Sequence, residues 1–269
     1  MTAESSRADA VRRTLPSHFV EKSPLTDTAG VSWAGRDYSV SPFPDDDGSC
    51  PPAVAAALEA ARTDADPDHR GLAGALRGTR VLVPIMATAT EKGITAHGLT
   101  GDNGADMAMA ILEGADGSRA LPLFTSTAAL AAWRTDARPV PVVIEQAAQA
   151  AVQEECTSLL LDPGADPAAP PIVLQRSILW ALAQGRAWVP PHDDDEVRAE
   201  LGRLLPSVPQ IIGLTPVAGA SAELELRLRL VPGLDAEQVR GVVAVFSQAL
   251  GSSELIAERV SSVRMALVP

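Results

Sequence analysis

Thr125 and Ser126 stand where an apolar run, Leu121 to Phe124, gives way to a helical pattern. In α/β enzymes that strand-to-helix turn is where a nucleophile or a phosphate ligand is held. Either chemistry needs flanking glycines, as in a nucleophile elbow or a phosphate loop, and none flank this pair. The hydroxyls therefore read as helix caps that accept the first amides of the following helix. A small-molecule site at this turn would also need acids close in space, and Asp102, Asp106 and Asp162 are the candidates.

The other chemistry-bearing residues are poorly spaced for catalysis. Asp45, Asp46, Asp47 and Gly48 resemble a fragment of a calcium loop, but the acids are contiguous rather than alternating and no glutamate closes the twelfth position. The run from Asp193 to Glu196 sits at a predicted helix start, whose dipole accounts for it. His18, His69, His97 and His192 are far apart, and none lies in a nucleophile motif with Ser or Cys. The glycine-rich stretch 98–104, GLTGDNG, has no basic residue and reads as a connection between strands rather than a phosphate cradle. No catalytic residue, metal site or cofactor is expected.

The net charge is −12, and it is spread along the chain: residues 1–192 hold 23 acids and 15 bases, and residues 193–269 hold 11 and 7. A phosphate backbone or an anionic bilayer would be repelled, so neither nucleic acid nor membrane is an expected partner. No run approaches the roughly 18 apolar residues of a membrane span, and the arginines near the N-terminus precede no apolar segment of a secretory leader. Cys50 and Cys156 lack the close spacing of a redox pair or metal knuckle, which fits reduced thiols in the cytoplasm and leaves a disulfide between them open.

These residues must be positioned by alternating helices and strands. Residues 1–49 are polar and aperiodic and read as a flexible arm carrying Trp33. Helices are predicted at 53–61 and 67–76, and a strand at 80–89, with Pro84 favouring an edge or a bulge. Residues 106–113 and 119–124 flank the turn GADGS as a hairpin. A helix follows with Leu130 and Trp133 on one face, then a strand at 140–144, a helix at 145–155, and strands at 158–162 and 172–175. The next helix, 177–184, has a capping Ser177 and a Gly185 stop. Trp133, Trp180 and Trp188 read as anchors between helices and sheet.

Pro190 and Pro191 mark a break. Beyond it a helix at 193–205, strands at 210–217 and 223–231, a helix at 235–250 and a strand at 262–268 are predicted, the helix crossing an antiparallel sheet. Residues 223–230 alternate, with Leu224, Leu226, Leu228 and Leu230 inward and Glu225, Arg227 and Arg229 outward. The fold class is α/β to α+β: a mixed sheet domain over residues 50–190 with flanking helices, then a small β-β-α-β domain over 191–269.

Trp33-Ala-Gly-Arg36, the segment from Phe43 to Gly48, the Ala-rich helix, Val81 to Pro84, Asp106-Met-Ala108, Ala120 to Ser126, Trp133, Pro139 to Pro141, Leu161-Asp-Pro163 and Trp180-Ala-Leu182 occur in the order seen in SseB family proteins. The resemblance covers 33–190, with 195–269 similar to the family's C-terminal domain, and the chain looks like the version found in high-GC Gram-positive bacteria. The family is named for enhanced serine sensitivity, a phenotype rather than a reaction, so the resemblance implies no catalytic residues. It shares its name with a secretion translocon component, whose long coiled coil and apolar hairpin have no counterpart here. The expected function is a non-catalytic cytoplasmic adaptor or regulatory protein. Trp33, Leu123, Phe124, Thr125 and Ser126 would form its surface for a protein partner. The alternative is a small-molecule binder or an enzyme of unrecognised type built on the Thr125-Ser126 helix start.

Overall fold

The computed structural model of the chain describes residues 43–63, 65–88, 106–164 and 171–269. Among them the fold mixes α-helices with three sheets, antiparallel and parallel pairs occurring together. Trp33, His18, His97 and Asp102, and most of the arm, lie outside the described residues.

Helices α1 (Pro52–Arg62) and α2 (Arg70–Leu76) lead into β1 (Arg80–Thr88). β1 is the centre of a sheet β2-β1-β5, with β2 at Asp106–Met109 and β5 at Arg138–Val143. The edge position expected from Pro84 is not found. Leu82 exchanges both backbone hydrogen bonds with Phe124 on the side away from β5, so even-numbered residues of β1 face that side and Pro84 asks nothing of β5. Pro84 sits opposite Pro139, its carbonyl accepts from Ala110, and its missing N–H falls where β2 has ended.

The predicted hairpin is narrower than its sequence suggests. Only β3 (Leu112–Glu113) pairs with β4 (Arg119–Leu123), because β2 leaves to join β1. β4 runs parallel to β6 (Ser158–Leu161), and β7 (Ile172–Leu174) completes the second sheet. Between the strands come α3 (Thr127–Trp133), α4 (Ile144–Gln153) and then α5 (Arg176–Ala183). α5 begins one residue before Ser177, which is inside the helix and does not cap it, while Gly185 ends it with φ +67°. One apolar cluster joins α1, α2, β1, β4, α4, β6, β7 and α5 and extends to Trp188. Trp180 packs on that cluster half-buried, and Trp133 stacks on Phe124 with ring centroids 5.2 Å apart.

The second apolar cluster begins with α6 (Asp195–Leu204), capped by the Asp194 carboxylate. A 3-10 turn leads to β8 (Ile211–Ala218), β9 (Leu224–Leu230), α7 (Ala236–Ser252), α8 (Glu254–Arg259) and β10 (Val263–Leu267). The sheet order is β10-β9-β8; β8 is antiparallel to β9, but β10 is parallel to it. The wholly antiparallel sheet expected from the sequence is corrected: the crossover through α7 and α8 returns the chain to the end where β9 begins, so β10 runs parallel to β9. Leu224, Leu226 and Leu228 meet Val242, Phe246 and Leu250 of α7 and Ile256 of α8 on one face. α7 starts with a reciprocal capping box in which Asp235 accepts from the Gln238 amide and Gln238 from the Asp235 amide.

Phe246 is fully buried. Replacing it by alanine removes an aromatic side chain from the centre of this cluster, and Phe246→Ala should lower stability by about 3–5 kcal/mol, read from the urea midpoint.

Candidate functional site

The turn from β4 into α3 is held from three sides. Asp162, just after β6, accepts at Oδ1 from the Thr125 amide and at Oδ2 from the Thr125 hydroxyl, both at 2.8 Å. Its own amide donates to the Leu123 carbonyl at 2.9 Å. Arg80, at the start of β1, donates from one terminal nitrogen to the Thr125 carbonyl at 2.8 Å. Its other terminal nitrogen reaches Asp46 Oδ1 at 2.7 Å and the Ser49 carbonyl at 2.6 Å. The Arg80 side chain is only 6% exposed while Asp46 keeps 21% of its side chain in solvent, so the guanidinium is buried and its carboxylate partner sits at the surface.

Residues 43–50, the end of the polar arm in the sequence, are thereby fastened to the sheet domain. The Gly48 carbonyl accepts from the amide and hydroxyl of Thr127 at 2.9 and 3.2 Å. Gly48 has φ +78°, and a Cβ there would lie 2.8 Å from Thr127 Cγ2, so both the conformation and the space call for glycine. Hydrogen bonds from the Ser49 hydroxyl and amide hold the Asp47 carboxyl below the usual carboxylate range.

The structure brings Thr125 and Asp162 together, as the small-molecule alternative required, but in a closed arrangement. Thr125 is 3% exposed and Leu123 and Phe124 are fully buried. The amides of Thr125, Thr127 and Ala129 all donate within the chain, the last to the capping Ser126 Oγ at 3.1 Å. Leu123, Phe124 and Thr125 therefore offer no surface to a partner, and the Thr125 amide proposed for a ligand is already taken by Asp162. The sequence placed them at the right turn; it could not show that Asp162 and Arg80 would close over it. Asp106 lies on β2, away from this turn in the pairing order.

The acidic runs are likewise spent on structure. Asp194 caps α6 and, with Glu196, binds Arg259 of α8 at 2.8 Å each. Asp195 pairs with Arg198. Among the described residues no group of three or more His, Cys, Asp or Glu is arranged to hold a metal ion. Cys50 and Cys156 are free thiols, and burial pushes Cys156 up to about 11, which leaves it un-ionised near neutral pH.

Two other features face solvent. A cleft of about 520 Å³ is lined by Pro67, His69, Trp188, Pro191, His192 and Glu223, among others. At its floor the Ser177 hydroxyl donates to Glu223 and accepts from the Trp188 indole at 3.1 Å, while the Ser261 amide donates to Glu223.

The outward face of the β10-β9-β8 sheet carries Arg227, Arg229 and Arg264. Arg264 lies opposite Glu225, and Arg227 stands between Thr215 and Ala266. Arg227 pairs with Glu225 at 3.1 Å, and Arg264 reaches the Ser221 hydroxyl at 3.4 Å. Arg229 lies across Gly213, where a Cβ would meet its guanidine at 3.3 Å, and has no acidic partner among the described residues. All three arginines are exposed. The outward placement of Arg227 and Arg229 was legible in the alternation of residues 223–230; the parallel register then sets Arg264 opposite Glu225 on the same face.

Residues 54–170 match the family model described as the SseB protein N-terminal domain. Over this stretch the chain is similar to that domain. No curated protein and no solved structure matches it. The closed turn at Thr125 lies inside this SseB domain, whereas the arginine face lies beyond the matched residues. The apolar cluster of the domain also continues past residue 170, through β7 and α5 to Trp188.

Asp162 has φ +47°, a conformation that asparagine tolerates better than alanine. Asp162→Ala leaves two buried Thr125 donors without an acceptor and should cost about 2–4 kcal/mol, with Asp162→Asn milder, both read by thermal or urea unfolding. For Cys156 the folded thiol ionises later than the unfolded one, so its contribution to stability is present below pH 9 and lost as pH rises toward 11. Unfolding measured across that window should show stability falling with pH, and Cys156→Ala should flatten the slope.

Proposed function

We propose that this chain is an SseB family protein and a non-catalytic adaptor or regulatory protein of the cytoplasm that works by binding another protein. The observation that carries this reading is the exposed face of Arg227, Arg229 and Arg264 in a chain whose net charge is −12. Arginine is the charged residue most favoured at protein interfaces, because its planar head stacks and forms paired hydrogen bonds at little cost in hydration. A local patch of opposite sign steers an acidic partner to one place while the overall charge repels polyphosphates. The turn at Thr125 and Ser126 supports the non-catalytic part, since the buried Thr125 is bound by Asp162 and Arg80 and the Ser126 hydroxyl caps α3. Residues 191–269 are read as the family's C-terminal domain, and the sequence as the high-GC Gram-positive version.

A second reading, small-molecule binding, is favoured by the cleft beside Trp188, His69 and His192 rather than by the Thr125 turn. Intact mass spectrometry of the protein purified under native conditions separates the two. A retained small molecule on an otherwise bare chain supports the cleft, and a stoichiometric protein partner supports the adaptor.

The adaptor reading makes a sharper prediction for the arginine face. The chain with Arg227→Glu, Arg229→Glu and Arg264→Glu together should keep its circular-dichroism spectrum and melting profile but retain at least tenfold less of the partner that co-purifies with the unaltered chain. Equal retention by both would remove the arginine face from the reading. No partner on the unaltered chain would remove the reading itself.

A further inference from the structure

We infer that the outer edge of β10 takes up an extended segment of the partner in which acidic and apolar residues alternate, adding a fourth strand to the β10-β9-β8 sheet. This rests on the protein-binding reading and states the chemistry of the partner.

The backbone groups of β10 alternate in direction. The Ser262 carbonyl accepts from Leu224, and the Val268 amide donates to Leu228, so even-numbered residues bond to β9. In a parallel ladder the residues between them point the other way. The N–H and C=O of Val263, Met265 and Leu267 therefore face outward, and among the described residues no strand pairs with that edge. None of the three is proline, so the edge presents both donors and acceptors at the spacing of a strand.

The side chains along this edge select what would pair with it. Val263, Met265 and Leu267 share the face of Leu224, Leu226 and Leu228, and Leu267 is 53% exposed where the apolar cluster runs out. An added strand with apolar side chains on that face would cover Leu267 and extend the cluster. On the opposite face Arg264 and Ala266 are outermost, with Arg227 one strand further in. Acidic side chains on the alternate positions of the incoming segment would lie beside Arg264 and within reach of Arg227, whose present partner is Glu225. A cross-strand pair of opposite charge stabilises a sheet and a like pair destabilises it, so charge fixes which face of the segment turns outward. Strand addition draws affinity from the backbone and specificity from alternate side chains, the division found here.

The probe is a seven-residue peptide alternating glutamate and valine, titrated into the isotopically labelled full chain and followed by amide NMR. Binding should shift the Val263, Met265 and Leu267 amides most, and Arg264→Glu should weaken it at least tenfold. A peptide with lysine for glutamate should not bind, and one N-methylated on the residues that face β10 should lose binding at least tenfold. Equal binding of the N-methylated peptide would overturn strand addition in favour of docking by charge alone. A single-stranded oligonucleotide that displaces the peptide at equal charge would overturn the peptide as the preferred occupant. Concentration-dependent dimers in sedimentation, abolished by Arg264→Glu, would make a second copy of this chain the occupant. If the peptide fails to bind while the triple arginine variant still loses its co-purifying partner, the inference fails and the adaptor reading stands.

Discussion

Burying a guanidinium is costly unless most of its donors are satisfied, and Arg80 meets that condition by tying together segments that are distant in the chain. Its partners are Asp46, the Ser49 carbonyl and the Thr125 carbonyl, 31 to 45 residues away. The first strand, the segment before the first helix and the turn into α3 are thus fixed relative to one another by a single side chain. Removing one partner would leave a buried charge uncompensated, which costs far more than an exposed ion pair contributes. The Asp162–Thr125 pair adds the end of β6 to the same node. The turn that looks from sequence like a place for chemistry is therefore occupied by the bonds that assemble the domain.

A second carboxylate does similar work between the apolar cluster that holds α5 and the one that holds β9. Glu223 precedes β9, accepts from Ser177 of α5 and from the Ser261 amide before β10, and so joins the end of one cluster to the sheet of the other. Arg176 donates to the Val260 carbonyl, and Gln184 and Arg186 reach Glu258 of α8. These contacts are polar and specific in direction, so they set the angle between α5 and α8 more than they add apolar burial. The arginine face lies on the far side of the same sheet from the helices and stays clear of this junction.

What sequence reading recovered, it recovered from local signals. The Ser126 cap, the Asp194 cap, the Gly185 stop and the inward leucines of β9 each depend on neighbours within a few residues. Features set by distant partners were invisible: Arg80 looks like any residue before an apolar run, and Ser177 looks like a cap until Glu223, 46 residues on, claims its hydroxyl. The hairpin was overread because β2 and β3 form one apolar segment in sequence yet join different sheets. The direction of β10 was missed because α7 crosses back over the sheet, and a strand joined to its neighbour by such a helical crossover runs parallel to it.

Pro139 and Pro141 of β5 also shape the molecule's outer edge. Because odd-numbered residues of β1 bond to β5, the residues of β5 that face away from β1 are Pro139, Pro141 and Val143. Two of the three outward positions on that free edge have no N–H to offer, so an approaching strand finds acceptors without matching donors. A slip of one residue in the β1–β5 register would turn those prolines inward and forfeit ladder bonds, so the same two residues also lock the alignment. The β5 edge is thus poor in donors for strands of other copies, while the β10 edge of the sheet bearing the arginines keeps all of its own.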